Sequence, residues 1–485
     1  MNPLRWLGRT RLILVSNREP FIHRRDPSGR IEVGIPAGGL TAALQPLMAS
    51  AGGTWVAWGS GSADFAVTDE HDTVQVPPER PAYRLRRLRL TDDEVRGFYV
   101  ELANRSLWPL CHSLLHRFTF DAAHWRMYRE VNRRFAAAVL DEAGREPATV
   151  WVQDYHLALV PALLRRVRRL FVHQFWHIPW PPPDILRVLP RARALVTALL
   201  GNHLLAFQTP RDARNFLAAA RRFIGAAVVD ARRGRVRVGS QETAVRAFPI
   251  SVDVARFQAL ARRPDVEEMS RRMRREALPG GRGHLLLGVD RIDYTKGIPR
   301  RFSAVARLFQ DHPELRGRAT LYQIGVPSRT DVPEYAAFEQ EVTALAAEIN
   351  ARFGTGDWQP IRLVRESLDQ PALTACYRAA DVCIVTPLLD GMNLIAKEFV
   401  ASQEGKLGVL VLSRFAGSAR EMRGALLVNP YDIGATARAL HEALTLPPEE
   451  RERRMKLMRQ RLETHTVYDW MEAIFKEVAR VRRDL

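Results

Sequence analysis

Lysine is rare in this chain, and two of its lysines lie in segments that could bind phosphate. Of the 72 Lys and Arg residues only five are Lys, and none precedes Lys296. An ammonium group is a compact, flexible point charge, whereas a guanidinium group is a planar fork. Because Arg fills almost every other basic position, we expect Lys296 and Lys397 to serve chemistry.

Two cations follow a strand predicted at 284–289, in the segment DRIDYTKG. Arg291 and Lys296 are five residues apart, across a turn that we expect Gly297 to close. Ligands of wound parallel sheets bind beyond the carboxyl ends of strands. Two cations there suit a diphosphate, and ordinary surface salt bridges are the alternative.

The segment PLLDGMNLIAKEFVASQ follows another predicted strand, at 381–387. Gly391 permits a tight turn, and we predict a helix that begins near Asn393. Backbone N–H groups at its start could hold an anion or sugar oxygens. Glu398 would then lie on the second turn of this helix, where it could bind a ribose diol. Lys397 pairing with solvent or with a neighbouring carboxylate is the alternative to a chemical role.

Asp154 and His177 follow the strands predicted at 149–153 and 169–176. A carboxylate or imidazole at such a place can hold sugar hydroxyls or transfer protons, although a single His is often structural. The WPPP segment after His177 must form an extended loop, since proline restricts the backbone.

A glycine pair in PAGGLTAALQPLM (36–48) precedes a predicted helix, where a phosphate could approach the backbone. A tight turn is the alternative. The sequence has no Asp-x-Asp, no Walker A pattern and no Cys/His metal cluster. We therefore predict no metal and no cofactor, with Arg291, Lys296 and helix N-termini neutralising a diphosphate.

Short buried runs alternate with amphipathic helical stretches, which indicates an α/β fold with parallel sheets. The alternation occurs twice, over about 11–210 and 284–430. Residues 246–257 are typical of a linker between the two. We predict two doubly wound, Rossmann-like domains that face each other across a cleft. Their expected bounds are 1–248 and 249–468, with a C-terminal helix at about 469–485 packing on the first.

The composition restricts the classes of molecule that this chain could bind. The formal charge of +18 favours anionic partners, but the basic residues are scattered at helical spacing, and no nucleic-acid motif is present. No apolar run approaches the roughly 20 residues that span a bilayer, and RLILVSN is too short for a signal peptide. The three cysteines form no CxxC pair, which indicates a reducing compartment. We predict a cytoplasmic protein that binds neither nucleic acid nor membrane.

These segments together resemble the trehalose-6-phosphate synthases, retaining glycosyltransferases of the two-domain GT-B fold. The resemblance extends from about residue 12 to about residue 470. It is carried by LVSNR (14–18), GGL (38–40), Tyr99 with Trp108-Pro109, DYHL (154–157), HIPWP (177–181), LLAFQT (204–209), RIDYTKG (291–297), VTPLLDGMNLIAKE (385–398) and VNPYD (428–432).

The resemblance implies transfer of glucose from a nucleoside diphosphate glucose, usually UDP-glucose, to glucose 6-phosphate with retention. The implied donor-binding residues are Gly39, His177, Arg291, Lys296, Asp390, Met392, Asn393, Leu394, Ile395 and Glu398. The implied acceptor-binding residues are Arg18, Tyr99, Trp108, Asp154 and Arg329, with Arg18, Tyr99 and Arg329 directed at the phosphate. The implied catalytic set is Asp154, His177, Arg291, Lys296 and Asp390. The family's front-face mechanism needs no protein general base, so Asp154 and His177 are expected to position substrates.

Three segments depart from the family pattern: QFWHIPWPPPDIL is rich in Trp and Pro, DYTKG replaces DYSKG, and FIHRRDPSGRIEVGIPAGGL is long. Glucosylglycerol-phosphate synthase, with glycerol 3-phosphate and ADP-glucose, is therefore the alternative. A non-catalytic sugar-phosphate sensor and a nucleic-acid-binding role are weaker alternatives. We expect no phosphatase-like extension after the second domain. The oligomeric state stays open, with a homo-oligomer allowed.

Overall fold

The computed structural model describes residues 3–8, 10–35, 39–329, 332–405 and 407–484. The chain forms two compact units. Unit 1 comprises Met1–Pro249 with Tyr468–Leu485, and unit 2 comprises Ile250–Val467.

Unit 1 contains a ten-stranded sheet and a separate two-stranded hairpin. The strands are β1 (Arg11–Arg18), β2 (Ile22–Arg25), β3 (Ile31–Gly34), β4 (Thr54–Trp58), β5 (Thr73–Val76), β6 (Tyr83–Leu88), β7 (Ala148–Gln153), β8 (Leu170–Trp176), β9 (Leu204–Phe207), β10 (Ala227–Asp230), β11 (Arg235–Val238) and β12 (Gln241–Ala247). The sheet order is β10-β11-β12-β9-β8-β7-β1-β4-β6-β5. Its centre, from β12 to β6, is parallel, and β5 and β11 pair antiparallel to their neighbours.

Helices connect most of these strands. They are α1 (Gly39–Ala51), α2 (Asp92–Glu94), α3 (Trp108–Cys111), α4 (Ala122–Ala143), α5 (Val160–Leu164), α6 (Pro183–Leu186), α7 (Ala192–Leu199) and α8 (Pro210–Phe223). Between α2 and α3 the chain forms a π-helix, Val95–Leu107. Such helices are rare and are frequent at functional sites.

Unit 2 contains a six-stranded sheet in which every pair is parallel. Its strands are β13 (His284–Arg291), β14 (Ala319–Val326), β15 (Ile361–Val364), β16 (Val382–Val385), β17 (Val409–Ser413) and β18 (Leu426–Val428), in the order β15-β14-β13-β16-β17-β18. Its helices are α9 (Val254–Ala261), α10 (Pro264–Ala277), α11 (Ile298–Asp311), α12 (Pro333–Phe353), α13 (Gln370–Ala379), α14 (Ile395–Ala401), α15 (Ile433–Thr445) and α16 (Pro448–Glu463).

The last helix, α17 (Val467–Arg483), packs within unit 1 for nearly all of its length. Trp470 and Phe475 contact the ring of Trp151 in β7, with ring centroids 5.7 and 5.3 Å apart. Arg482 Nη2 donates a hydrogen bond to Thr149 Oγ1 at 2.6 Å. The C-terminal segment is therefore part of the core of unit 1.

The predicted α/β fold with two largely parallel sheets is confirmed, and the strands predicted at 149–153, 169–176, 284–289 and 381–387 are present as β7, β8, β13 and β16. The search for apolar runs missed strands near the sheet edges, because their residues alternate between buried and partly exposed. In β6 the pattern also contains the buried Arg87, whose guanidinium lies 2.7 Å from Glu19 Oε2 and 3.1 Å from Asp64 Oδ1. No helix in the described ranges is long and apolar enough to cross a membrane.

Two of the unusual segments have a structural explanation. Trp176 and Trp180 are fully buried, and Trp180 packs edge-on against Phe207 and Phe216. The extra tryptophans therefore fill the core of unit 1. The long connection before the glycine pair forms the hairpin of β2 and β3.

Candidate functional site

The strand order of unit 2 places the predicted donor residues at one edge of the sheet. The order reverses between β13 and β16, and in such sheets ligands bind at the carboxyl ends beside that reversal. Arg291 is the last residue of β13, Lys296 ends the short 3₁₀ turn Tyr294–Lys296, and Asp390 follows β16. The structure thus brings together Lys296 and Asp390, which are 94 positions apart; their role in binding stays a prediction.

Lys296 contacts Asp390 directly. The ammonium Nζ lies 2.5 Å from Asp390 Oδ2, and the two side chains are only 14% and 15% exposed. Asn393 Nδ2 donates a hydrogen bond to the same oxygen at 3.2 Å. Gly297 makes the close approach possible, since its φ is +68° and a Cβ there would lie 2.4 Å from the carbonyl oxygen of Thr386. The two loops therefore meet at a position that only glycine fits.

Asp293 holds the cationic side of the site together, and the sequence analysis missed it. Its carboxylate is fully buried and accepts a hydrogen bond from Arg329 Nη1 at 3.2 Å, with Arg291 Nη2 at 4.0 Å. Burial opposes its charge, but Arg329, Arg291 and Lys296 lower the pKa of Asp293 to about 2. Its place between two cations in RIDYTKG was the available signal.

Arg329 belongs to the same cluster. Its side chain is 5% exposed, its φ is +54°, and it contacts both Asp293 and the hydroxyl of Tyr335. The structure therefore groups Arg329 with the predicted donor residues of unit 2. Its predicted role at the acceptor phosphate stays a prediction. The neighbouring Thr330 and Asp331 lie outside the described residues.

A second buried cation, Arg301, fixes the strand ends beneath the site. Arg301 Nη1 donates to Asp290 Oδ2 at 2.6 Å and to Gln323 Oε1 at 2.8 Å, and its Nε donates to Thr386 Oγ1 at 3.0 Å. These partners come from β13, from β14 and from the residue after β16. Arg301 is thus a positioning residue that holds the ends of β13, β14 and β16 in a fixed arrangement.

Glu398 lies in the first turn of α14, not in the second turn as predicted, because the helix begins at Ile395. Asn393 has a φ of +70°, a left-handed conformation that a right-handed helix excludes. Tyr377 Oη donates a hydrogen bond to Glu398 Oε2 at 2.7 Å. Burial raises the pKa of Glu398, and this hydrogen bond partly opposes the rise.

Lys397 has a structural role, and the expectation of a chemical one was wrong. Its ammonium is fully buried and donates to Glu421 Oε2 and to the carbonyl of Ile250, both at 2.6 Å. Glu421 also accepts a hydrogen bond from Arg461 at 2.7 Å. Lys397 therefore connects α14 to the start of unit 2 and, through Glu421, to the last helix of unit 2.

Unit 1 repeats the arrangement around β1 and β7, where its parallel strand order reverses. Arg18 ends β1 and Asp154 follows β7. Asp154 has a φ of +65°, and its Oδ1 accepts a hydrogen bond from the backbone N–H of His177 at 3.1 Å. A strained backbone at a strand end is typical of sites whose geometry serves a ligand.

Two glutamines set the tautomer of His177. Gln208 Nε2 donates to Nδ1 at 3.2 Å, so Nε2 carries the proton and donates to Gln153 Oε1 at 2.8 Å. Burial lowers the pKa of His177 to about 3. The imidazole is therefore neutral near pH 7 and fixed in orientation, which suits positioning rather than proton transfer. The sequence analysis did not identify either glutamine.

The remaining predicted acceptor residues of unit 1 are connected through the π-helix. Tyr99 lies in it, 3.5 Å from Arg18 Nη2 through its hydroxyl, and stacks on His156 with ring centroids 5.7 Å apart. Trp108, which follows the π-helix, is only 6% exposed and packs against Tyr155.

Gly39 begins α1, and its predecessor Gly38 lies outside the described residues, as do Pro36 and Ala37. The predicted phosphate contact of the glycine pair stays a prediction.

The chain is similar to known proteins over nearly its whole length. The sequence profile of glycosyltransferase family 20 matches residues 10–480. The trehalose-6-phosphate synthase of Mycolicibacterium smegmatis is 38% identical over 479 residues, which are 97% of this chain and 93% of that protein. A bifunctional trehalose-6-phosphate synthase/phosphatase of Thermoproteus tenax is 39% identical over 471 residues, 95% of this chain. The chain spans 62% of the length of that relative.

Solved structures are similar over almost the whole chain. An alpha,alpha-trehalose-phosphate synthase (UDP-forming) from Burkholderia xenovorans, in complex with glucose-6-phosphate, has a TM-score of 0.84 and 31% identity, with 96% of this chain and 99% of that chain covered. A structure from E. coli bound with UDP-2-fluoro glucose has a TM-score of 0.85 and 30% identity, with coverages of 97% and 99%.

Proposed function

The chain belongs to glycosyltransferase family 20, the family of the trehalose-6-phosphate synthases, and from this premise we propose that it transfers glucose from UDP-glucose to glucose 6-phosphate. The product is α,α-trehalose 6-phosphate, formed with retention at the anomeric carbon. In this proposal unit 2 binds the nucleotide sugar and unit 1 binds the acceptor. The ligands in the two solved relatives, UDP-2-fluoro glucose and glucose-6-phosphate, support this choice of substrates.

The observation that carries the proposal is the cationic cluster beside β13 and β16. Arg291, Lys296 and Arg329 lie around one buried carboxylate at the carboxyl edge of the sheet. When the glycosidic bond breaks, negative charge grows on the leaving diphosphate. Arg291 and Lys296, already held in place there, lower the barrier, since they need no reorganisation in the transition state.

The proposal explains why position 296 is a lysine. The ammonium contacts Asp390 at 2.5 Å, and its flexible stem allows it to turn toward a diphosphate. Asp390 can then accept hydrogen bonds from glucose hydroxyls, while the backbone N–H groups of Met392, Asn393, Leu394 and Ile395 donate to sugar and phosphate oxygens. An arginine side chain ends in a rigid, planar guanidinium. At such a tight site it would exchange less readily than an ammonium between the Asp390 carboxylate and a diphosphate.

We assign the other residues by the positions they match in the family's motifs. Glu398 binds the ribose, Gly39 lies close to the donor diphosphate, and neutral His177 donates or accepts at the donor glucose. Asp154 holds an acceptor hydroxyl, Trp108 borders the acceptor, and Arg18, Tyr99 and Arg329 bind its phosphate. The leaving phosphate deprotonates the acceptor, which agrees with an imidazole whose pKa of about 3 makes it a weak base.

The test is an assay of four nucleoside diphosphate glucoses against glucose 6-phosphate and glycerol 3-phosphate. We expect the highest kcat/KM with UDP-glucose and glucose 6-phosphate, and an α,α linkage in the product by NMR. Turnover with glycerol 3-phosphate but not with glucose 6-phosphate would contradict the proposal and favour the glucosylglycerol-phosphate alternative.

A further inference from the structure

A group of three potential metal ligands lies in unit 2, apart from the proposed site. His312 follows α11, Glu314 lies in the next 3₁₀ turn, and His441 lies on α15. Their ligand atoms all lie within 4.8 Å of one another. Among the residues that the structure describes, no other group of three His, Cys, Asp or Glu side chains comes this close.

The geometry of the two imidazoles is unusual for a surface pair. The rings of His312 and His441 are stacked with centroids 3.6 Å apart and an interplanar angle of 6°. His312 Nδ1 lies 3.1 Å from Glu314 Oε1. A metal ion lies in the plane of each imidazole that binds it, so the two rings must turn out of this parallel stack before one ion can take a nitrogen from each, together with the Glu314 carboxylate.

The donor set selects the kind of ion. Imidazole nitrogens suit Zn²⁺, Ni²⁺ and Cu²⁺, whereas Mg²⁺ and Ca²⁺ prefer oxygen ligands only. In a tetrahedral Zn²⁺ site with bonds of about 2.1 Å, ligand atoms lie about 3.4 Å apart. The ligand atoms here lie within 4.8 Å of one another, so an ion that holds all three requires rotation of both imidazoles. Glu314 is 60% exposed.

We propose that His312, Glu314 and His441 bind a divalent transition-metal ion, with Zn²⁺ as the best match. Three protein ligands leave one position for water. The ion would join the end of α11 to α15. Because α11 has 14 residues, about 20 Å of helix separates this position from Lys296. The ion would therefore stabilise unit 2 without taking part in glucosyl transfer.

The test uses the full chain without a polyhistidine tag, stripped with EDTA, dialysed and titrated with ZnCl₂ against a chromophoric chelator. We expect one bound equivalent in the wild type, an affinity at least about 100-fold lower in His441→Gln and His312→Gln, and a rise in Tm with Zn²⁺ in the wild type alone. Co²⁺ should give visible d–d absorption bands that disappear in both variants.

His71→Gln is the matched control, because His71 and Glu70 form an exposed pair at 3.7 Å to which the described residues add no third ligand. It should bind Zn²⁺ like the wild type. Circular dichroism and Tm without metal will establish that each variant is folded. The proposal is overturned if the wild type binds no equivalent, if both unit 2 variants keep wild-type affinity, or if His71→Gln loses it. Transfer activity on the same samples tests the proposed function separately.

Discussion

Lys296 and Asp390 form a nearly buried ion pair at the place where we propose that the donor diphosphate binds. An exposed pair of this kind would contribute little to stability or activity. Here the ammonium has two successive partners in the proposal, the carboxylate before binding and the diphosphate afterwards. Its importance should therefore appear in catalysis.

Lys296→Ala should lower kcat by more than about tenfold, since a preorganised charged donor in such a site contributes about 2–4 kcal/mol to transition-state stabilisation. Lys296→Arg should also be impaired, because the planar fork does not replace a point charge. Initial rates of UDP release measure both variants. The exposed Lys456→Ala is the control, and an unchanged rate for Lys296→Ala would refute the assignment.

Asp293→Asn should raise KM for the donor and lower the free energy of unfolding by about 3 kcal/mol, because it leaves the buried Arg329 without its carboxylate. Urea unfolding and donor titration measure the two effects. Asp311→Asn, which removes a half-exposed pair with Arg307, should change neither. A donor KM at the wild-type value would show that Asp293 does not position the cations.

Arg18→Ala should raise KM for glucose 6-phosphate far more than KM for the donor, because the lost guanidinium pairs with the acceptor phosphate in our proposal. Steady-state kinetics with each substrate varied in turn will separate the two constants. Arg24→Ala, an exposed change on β2, is the control. Equal increases in both KM values would remove Arg18 from the acceptor site.

At the scale of elements, β8 and the loops beside it carry three buried histidines. His173 lies in β8, His177 follows it, and His203 precedes β9. Burial lowers the pKa of each to about 3, from an ordinary value of 6.5. In the unfolded chain these groups take up protons below about pH 6.5, whereas in the folded chain they do not. Their contribution is therefore complete above pH 6.5 and is lost as the pH falls toward 3.

Unit 1 should accordingly lose stability between pH 6.5 and 3, at about 2 kcal/mol for each histidine by pH 5. His173→Phe should reduce this loss, since His173 stacks on Trp151 at 5.1 Å and its ring nitrogens make no hydrogen bond within the described part of the chain. Tm measured from pH 7.5 to 4.5 tests the slope. A slope identical to that of the wild type would contradict the low pKa.

For the whole molecule, the formal charge of +18 lowers the cost of bringing an anionic donor and an anionic acceptor to one protein. In our proposal, Arg291 and Lys296 take the place that a divalent metal has in other glycosyltransferases. The metal site inferred at His312 lies elsewhere and has a separate role.

Excess EDTA should therefore leave the initial rate of glucosyl transfer unchanged, while it lowers Tm in protein that carried Zn²⁺. Rates before chelation, after chelation and after addition of MgCl₂ will measure this. Complete loss of activity that MgCl₂ restores would show a catalytic metal and would contradict the cationic site.

The sequence by itself determined the two α/β repeats and the edge of each sheet where we propose that the substrates bind. Buried apolar runs mark parallel strands, and the residue after each run must lie at a carboxyl edge. Arg18, Asp154, Arg291 and Lys296 could be found in this way because hydrophobic periodicity is local in the chain.

Only the tertiary structure decided which charges pair. Lys296 meets Asp390 across 94 residues, Lys397 turns to Glu421, and His177 is held by two glutamines from other strand ends. Strand order and register set these contacts. A local pattern does not contain them, because the electrostatic energy of a side chain depends on neighbours that folding brings from distant parts of the chain.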